Sequence, residues 1–295
     1  MPQPRRRRSG GGAQRRAGGQ APPPRRPARA PRRGTSDLGN RVLVAIPALV
    51  VALAMVALGG TVFLVGIGVL GLICLHELFS MFARARPARL AGFVGYLGLL
   101  AAASLGDRET ILLVFLACLP VVFVVAVNQP GGAGAPGISV TVLGLSWIGL
   151  AFAHAVLLRD LPHGGALVFA VLLGTFAGDT GAYLGGRAFG RRRLAPTISP
   201  NKTVEGLAIG VVIGTAAVWW AGLSQEWLGG GKGAILGLAV ALAAPVGDLF
   251  ESYLKRDANT KDTGRLFGAH GGALDRLDAI LFTAVTGYYV WLALS

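Results

Sequence analysis

Asp275 and Asp278 lie three residues apart at the start of the last apolar run of the sequence. On a helix that spacing turns both carboxylates to one face, so two oxygen donors can meet one cation. Asp248 lies near the end of the preceding apolar run, which faces the start of the next across a short loop, and it can join them. Carboxylate oxygens with no cysteine and one nearby histidine favour magnesium or a similar hard ion over zinc. The same aspartates also have a plainer use, since acidic residues at a helix N-terminus stabilise its dipole. The loop between the two runs carries Lys255, Arg256, Lys261 and Arg265, then His270 with Gly271 and Gly272. Mobile ammonium and forked guanidinium groups suit phosphate, and paired glycines let backbone amides approach it closely. His270 could donate to a phosphate oxygen or carry a proton, or serve as a structural hydrogen-bonder.

A second polar stretch, GDTGAYLGGRAFGRRRLAPTISPNKTVEG, runs from Gly178 to Gly206. Here Lys202 suits a phosphate clamp, with Ser199 and Thr203 as hydrogen-bond donors, while Thr203 is also placed to cap the helix that follows. Neither stretch matches a Walker loop, and GGRAFG is not the GxGxxG of a dinucleotide fold.

The elements that must hold these residues are membrane helices. Hydrophobic residues make up 53% of the 295-residue chain and charged residues only 14%, with a mean hydropathy of +0.59; an ordinary soluble domain has roughly 25% charged residues. Apolar runs of the length that spans a bilayer as helix recur along the chain. The expected fold is an all-α polytopic membrane protein with about nine spans: 41 to 59, 61 to 83, 90 to 105, 111 to 128, 138 to 158, 166 to 186, 204 to 222, 232 to 252 and 274 to 294. With the N-terminus cytoplasmic, nine spans put Arg84, Arg86 and Arg89, then Arg187 to Lys202, then Lys255 to Arg265 on the cytoplasmic side, as the positive-inside bias requires. The C-terminus is then expected outside.

The chain divides into residues 1–40, N-terminal spans over 41–160, and a C-terminal catalytic region over 161–295. The net charge of +14 is concentrated in the first part, where 11 arginines and no acidic residue fall between Arg5 and Arg33. This Arg/Pro/Gly-rich segment has no hydrophobic periodicity and reads as a disordered cytoplasmic tail that sets topology and meets anionic lipid. No aromatic residue interleaves the arginines, so no specific nucleic-acid partner is expected. Cys74 and Cys118 fall inside apolar runs and imply neither a disulfide nor a metal site.

Within the first five spans the one internal acidic residue is Glu77, beside His76. Further on, Asp179, Glu205, Asp248, Glu251, Asp275 and Asp278 recur towards the ends of spans. Carboxylates at membrane depth are costly and mark a site or a partner. Phosphate-binding cations beside boundary carboxylates fit a reaction between a polyphosphate and a lipid headgroup. An ion-coupled transporter is the alternative, although its carboxylates belong near the midplane.

Ser252, Lys255-Arg256, Lys261-Asp262, His270-Gly271-Gly272, Asp275-Arg276 and Asp278 resemble, with every spacing kept over 27 residues, the signature of the phosphatidate cytidylyltransferases. The flanking Gly247-Asp248-Leu249 with Glu251-Ser252 and the upstream Ser199-Pro200-Asn201-Lys202-Thr203 with Glu205-Gly206 also look like that family. The likeness is strong over about 165 to 295 and rests on hydropathy alone before that. Gly268, Ala269 and Ala279 depart from the residues common in the family, which bears on the turn before His270. The resemblance implies transfer of a cytidylyl group from CTP to phosphatidic acid, giving CDP-diacylglycerol and pyrophosphate in phospholipid biosynthesis, with Mg2+ required. Asp248, Asp275 and Asp278 are then the expected metal ligands, with a second cation in keeping with a two-metal clamp. Lys261 and His270 join them as catalytic candidates. Ser199, Lys202, Thr203, Lys255, Arg256 and Arg276 are the expected substrate-binding residues. A homodimer in the plasma membrane is also implied.

Overall fold

The computed structural model describes residues 47, 50–264 and 271–295. Within it the chain is a bundle of helices joined by short turns, as the apolar runs require, because a backbone in lipid must satisfy its own hydrogen bonds. The order is α1 (50–58), α2 (Gly60–Met81), α3 (Arg89–Leu105), α4 (Arg108–Asn128), α5 (Gly134–Gly144), α6 (Leu150–Asp160), α7 (Gly164–Phe189), α8 (Val204–Leu223), α9 (Gly229–Asp257) and α10 (Leu274–Leu294). A π-helical turn at Leu145–Gly149 joins α5 and α6 into one 27-residue span. The chain is therefore an all-α polytopic membrane protein.

Seven helices among the described residues are long and apolar enough to cross a bilayer. The expected third span, α3, is a shorter apolar helix of 17 residues, and the first falls only partly within the described residues. Two local expectations change. α9 runs on to Asp257, so Lys255 and Arg256 are helical and not part of the loop; cations in a last turn complement the helix dipole. The stretch before α8 forms a small antiparallel hairpin, β1 (Arg193–Ala195) and β2 (Ser199–Thr203), pairing Arg193 with Thr203 and Ala195 with Ser199.

Helices α2 to α6 pack through large side chains. Phe79, Tyr96, Leu99, Leu145 and Ile148 are fully buried, and the Tyr96 hydroxyl donates to the Ile67 carbonyl at 2.7 Å. Helices α7 and α8 meet through backbone instead. A Cβ on Gly210 would lie 2.7 Å from the Gly178 carbonyl oxygen, and one on Gly214 would lie 2.8 Å from that of Gly174. Small residues at this spacing let two membrane helices touch along their length. Large apolar residues of α4 such as Leu112, Leu113, Phe123 and Val124 point outward, as a lipid-facing surface would.

Candidate active site

The hairpin is held at both ends. Glu205, in the first turn of α8, accepts from the backbone N–H of Arg191 at 3.0 Å and of Arg192 at 3.1 Å. Thr203 caps α8, its hydroxyl oxygen accepting from the N–H of Gly206 at 3.1 Å. This use as a cap leaves the hydroxyl proton available to a ligand. The exposed Arg256, at the end of α9, donates from Nε to the Ile198 carbonyl at 3.2 Å and ties the hairpin to that helix.

These ties bring Lys202 of β2 onto α9, where its ammonium forms an ion pair with Asp248 Oδ2. The other oxygen of Asp248 accepts from the Ser252 hydroxyl at 3.3 Å, one helical turn on. Another turn further, Lys255 Nζ lies 2.5 Å from Glu251 Oε2 and 2.9 Å from Asp275 Oδ1. Lys255 thus links α9 to the first turn of α10. Glu251 is buried, and its second oxygen has no hydrogen-bond partner among the described residues.

Asp275 is the most heavily engaged carboxylate. Besides Lys255 on Oδ1, its Oδ2 accepts from the Thr263 N–H at 2.9 Å, the Thr263 hydroxyl at 2.9 Å and the Gly272 N–H at 2.7 Å. Gly271, at φ +81°, turns the chain where a side chain would strike the Asp275 carboxyl. Asp278, one turn along α10, accepts from the Ala279 N–H at 2.8 Å. The helices cross beside it: a Cβ on Gly247 would lie 2.5 Å from the Asp278 carbonyl oxygen, so only glycine lets α9 come so near. That crossing brings Asp248 and Asp278 together. With Asp179 of α7 they form a group whose charges act on one another, with Lys202 and Lys255 as nearby counter-charges.

Of the residues expected from sequence, Ser199, Lys202, Thr203, Asp248, Lys255, Arg256, Asp275, Arg276 and Asp278 lie on the hairpin, the last turns of α9 and the first turn of α10. Lys261 is exposed in the turn after α9, and Arg276 is exposed on α10. His270 and Arg265 lie outside the described residues. Sequence reasoning grouped Asp179 and Glu251 with the boundary carboxylates but assigned neither a ligand or binding role, and it gave Thr263 no role. Asp179 and Glu251 carry the signal of a carboxylate in an apolar run, which Thr263 lacks.

Among the described residues no three carboxylate, imidazole or thiol groups are assembled as a metal cage. The donor chemistry nevertheless fits a hard divalent ion at Asp248 and Asp278: carboxylate oxygens, with an ammonium already drawn to Asp248 as a stand-in cation. Asp275 fits less directly, because four hydrogen bonds already occupy its oxygens.

Comparison with known proteins adds an independent line. A model described as "Cytidylyltransferase family" matches residues 39–294. A phosphatidate cytidylyltransferase of Mycobacterium bovis is 39% identical over 176 residues, 56% of this chain and 56% of that protein. One from Helicobacter pylori is 42% identical over 122 residues, 41% of this chain and 46% of its own length. One from Synechocystis is 40% identical over 135 residues, 44% and 45% of the two chains. The chain spans about half the length of these relatives.

Proposed function

The chain belongs to the cytidylyltransferase family, and from that premise we propose that it transfers the cytidylyl group of CTP to phosphatidic acid, forming CDP-diacylglycerol and pyrophosphate. The observation that carries this reading is the meeting of two polar segments far apart in sequence. Lys202 of the hairpin pairs with Asp248, and Lys255 of α9 pairs with Asp275 of α10. Cations that suit phosphates and carboxylates that suit a metal are thereby interleaved at one end of the bundle. The relatives named above are phosphatidate cytidylyltransferases, which supports phosphatidic acid as the acceptor. Nothing favours the ion-coupled transporter.

An oxygen of the lipid phosphate attacks the alpha phosphorus of CTP in line. The new P–O bond forms as the bond from the alpha phosphorus to the bridging oxygen breaks, and pyrophosphate leaves with that oxygen. A phosphate monoester is already ionised near pH 7, so no strong general base is needed, and His270 need not serve as one. Catalysis then rests on positioning and charge neutralisation. Lys202, Lys255, Arg256, Lys261 and Arg276 bind phosphate oxygens, and Ser199 and Thr203 add hydroxyl donors. Asp248 and Asp278, supported by Asp275, would hold magnesium, which when bound neutralises charge on the nucleotide phosphates. A second cation would act in the same way.

A groove of about 290 Å³ among Leu143, Trp147, Phe250, Leu281 and Phe282 adjoins this end of α9 and α10. Its aromatic wall, with Trp147 and Phe250 edge to face at 4.9 Å and Phe250 and Phe282 at 5.6 Å, suits an acyl chain of the lipid. The same reading puts the protein in the plasma membrane as a homodimer. Its N-terminus and active site are cytoplasmic; the arginine-rich residues 1–40 lie outside the described residues, and their charge suits anionic lipid. The test is pyrophosphate release from CTP by purified protein in detergent, with and without phosphatidic acid and magnesium. Release that depends on both is expected; folded protein with no lipid-dependent release would sink the reading.

A further inference from the structure

Glu77 lies in α2, in the half of the chain where the signature resemblance is absent. It is 5% exposed, and most of the other buried residues of its helix are apolar, among them Phe63, Ile67, Leu75 and Phe79. Its surroundings are nonetheless polar and specific. Oε1 accepts from the Ala273 N–H at 3.0 Å, and Oε2 accepts from the Leu274 N–H at 2.9 Å and the Thr263 hydroxyl at 3.3 Å. The donors are 186 to 197 residues away in sequence.

Two features tie the described residues on either side of 265–270 to this carboxylate. The N-cap residue of α10 is Ala273, which has no side chain able to cap it, so the first N–H groups of the helix need an acceptor from elsewhere. Glu77 supplies that acceptor, with negative charge at the positive end of the helix dipole. Gly264 and Gly272, on either side of residues 265–270, pass so close to the Glu77 carboxyl that a Cβ on either would collide with it. Thr263 completes the connection. Its N–H is held by Asp275, and its hydroxyl lies between the carboxylates of Asp275 and Glu77, able to donate to one at a time.

We propose that Glu77 is a positioning residue for Asp275: by capping α10 and accepting from Thr263 it fixes the start of the helix from which Asp275 and Asp278 project. The inference rests on the cytidylyl-transfer reading for its catalytic consequence, and on hydrogen bonding alone for its structural one. The N-terminal helices thereby enter the site without touching a substrate. Glutamine at this position keeps the size but turns one of the two oxygens into an NH2 donor, so the Ala273 and Leu274 N–H groups no longer each have their own acceptor. Aspartate keeps two acceptors on a shorter arm.

The full chain in detergent is compared with Glu77→Gln, Glu77→Asp and, as a stability control bonded to the same helix α2, Tyr96→Phe. Hydrogen exchange of peptides covering 271–278 is expected to rise by about tenfold or more in Glu77→Gln, because the first turn of α10 loses an acceptor. The kcat for pyrophosphate release is expected to fall by about tenfold to a hundredfold while KM for CTP changes little, since misplaced catalytic groups cost turnover more than binding. Glu77→Asp should recover part of the kcat, and Tyr96→Phe should lose thermal stability while keeping kcat. Unchanged exchange over 271–278 in Glu77→Gln overturns the proposal, as does a kcat near that of the unmodified chain. A parallel loss of kcat in Tyr96→Phe, showing general destabilisation, also overturns it. If the unmodified chain shows no lipid-dependent release, the activity reading fails by itself, and the exchange result still decides whether Glu77 holds the start of α10.

Discussion

Helices α2 to α6 and helices α7 to α10 are both apolar bundles, yet they are held together in different ways. In the first group Tyr96, Phe79 and Leu145 fill the space between helices. In the second, glycines of α7 and α8 and Gly247 of α9 bring backbones into contact and leave room beside them for carboxylates and lysines. Side-chain packing makes a scaffold whose buried polar groups, Glu77, Thr141 and His154, stand singly, whereas backbone packing lets charged groups from three helices and a hairpin meet. The difference teaches that apolar content alone does not separate scaffold from site in a membrane protein. What separates them is how closely the backbones approach.

The contrast predicts that changes to the charged groups gathered in the second group act on turnover and that changes to packing contacts act on stability, with Glu77 the one residue of the first group expected to reach turnover. The largest effect is expected for Asp248→Asn, which removes the charge that pairs with Lys202 while preserving shape. Turnover should fall by on the order of 10²–10³, with the protein still inserted and monodisperse; near-normal activity would remove Asp248 from the site. Gly210→Val, at the α7–α8 contact, should cost about 1–3 kcal/mol of stability through overpacking, read as a lower Tm in detergent. A neutral result would break the claim that these two backbones touch.

Tyr96→Phe sharpens the comparison from the other side. Loss of its hydrogen bond to Ile67 should cost about 1 kcal/mol with kcat preserved; a loss of turnover would carry the site into the scaffold. The smallest effect belongs to Asp107, the exposed cap of α4, whose Oδ1 accepts from both the N–H and the hydroxyl of Thr110 at 2.9 Å. Those bonds hold its carboxyl below the ordinary aspartate range. Its stabilisation is therefore present above the unfolded value of about 4 and is lost as pH falls through the lowered one. Asp107→Ala should slightly lower Tm at neutral pH and remove that acid-side dependence; an unchanged Tm at pH 7 would deny the cap any weight.

Much of the site could be read in the sequence because its parts are local. Asp275 and Asp278 share a helix face by spacing, and the signature from Ser252 to Asp278 is contiguous. Lys202 and Asp248 each stood out, but their pairing did not, since 46 residues separate them. Asp275 was expected to face a cation, and the structure adds that its oxygens accept from Thr263, Gly272 and Lys255. Its neighbours come from a loop and another helix, which helical spacing does not report.

By itself the sequence determined the class of the protein, the approximate run of its helices, and the chemistry that one end of α9 and α10 can offer. These follow from composition and from periodicity within a single element, where each residue's place depends on its near neighbours. The tertiary structure decided the partners: Lys202 with Asp248, Lys255 with Asp275, and Glu77 with the start of α10. Every apolar helix offers much the same face to its neighbours. Which faces meet is set by the few places, such as Gly247 and Gly210, where one backbone can come against another.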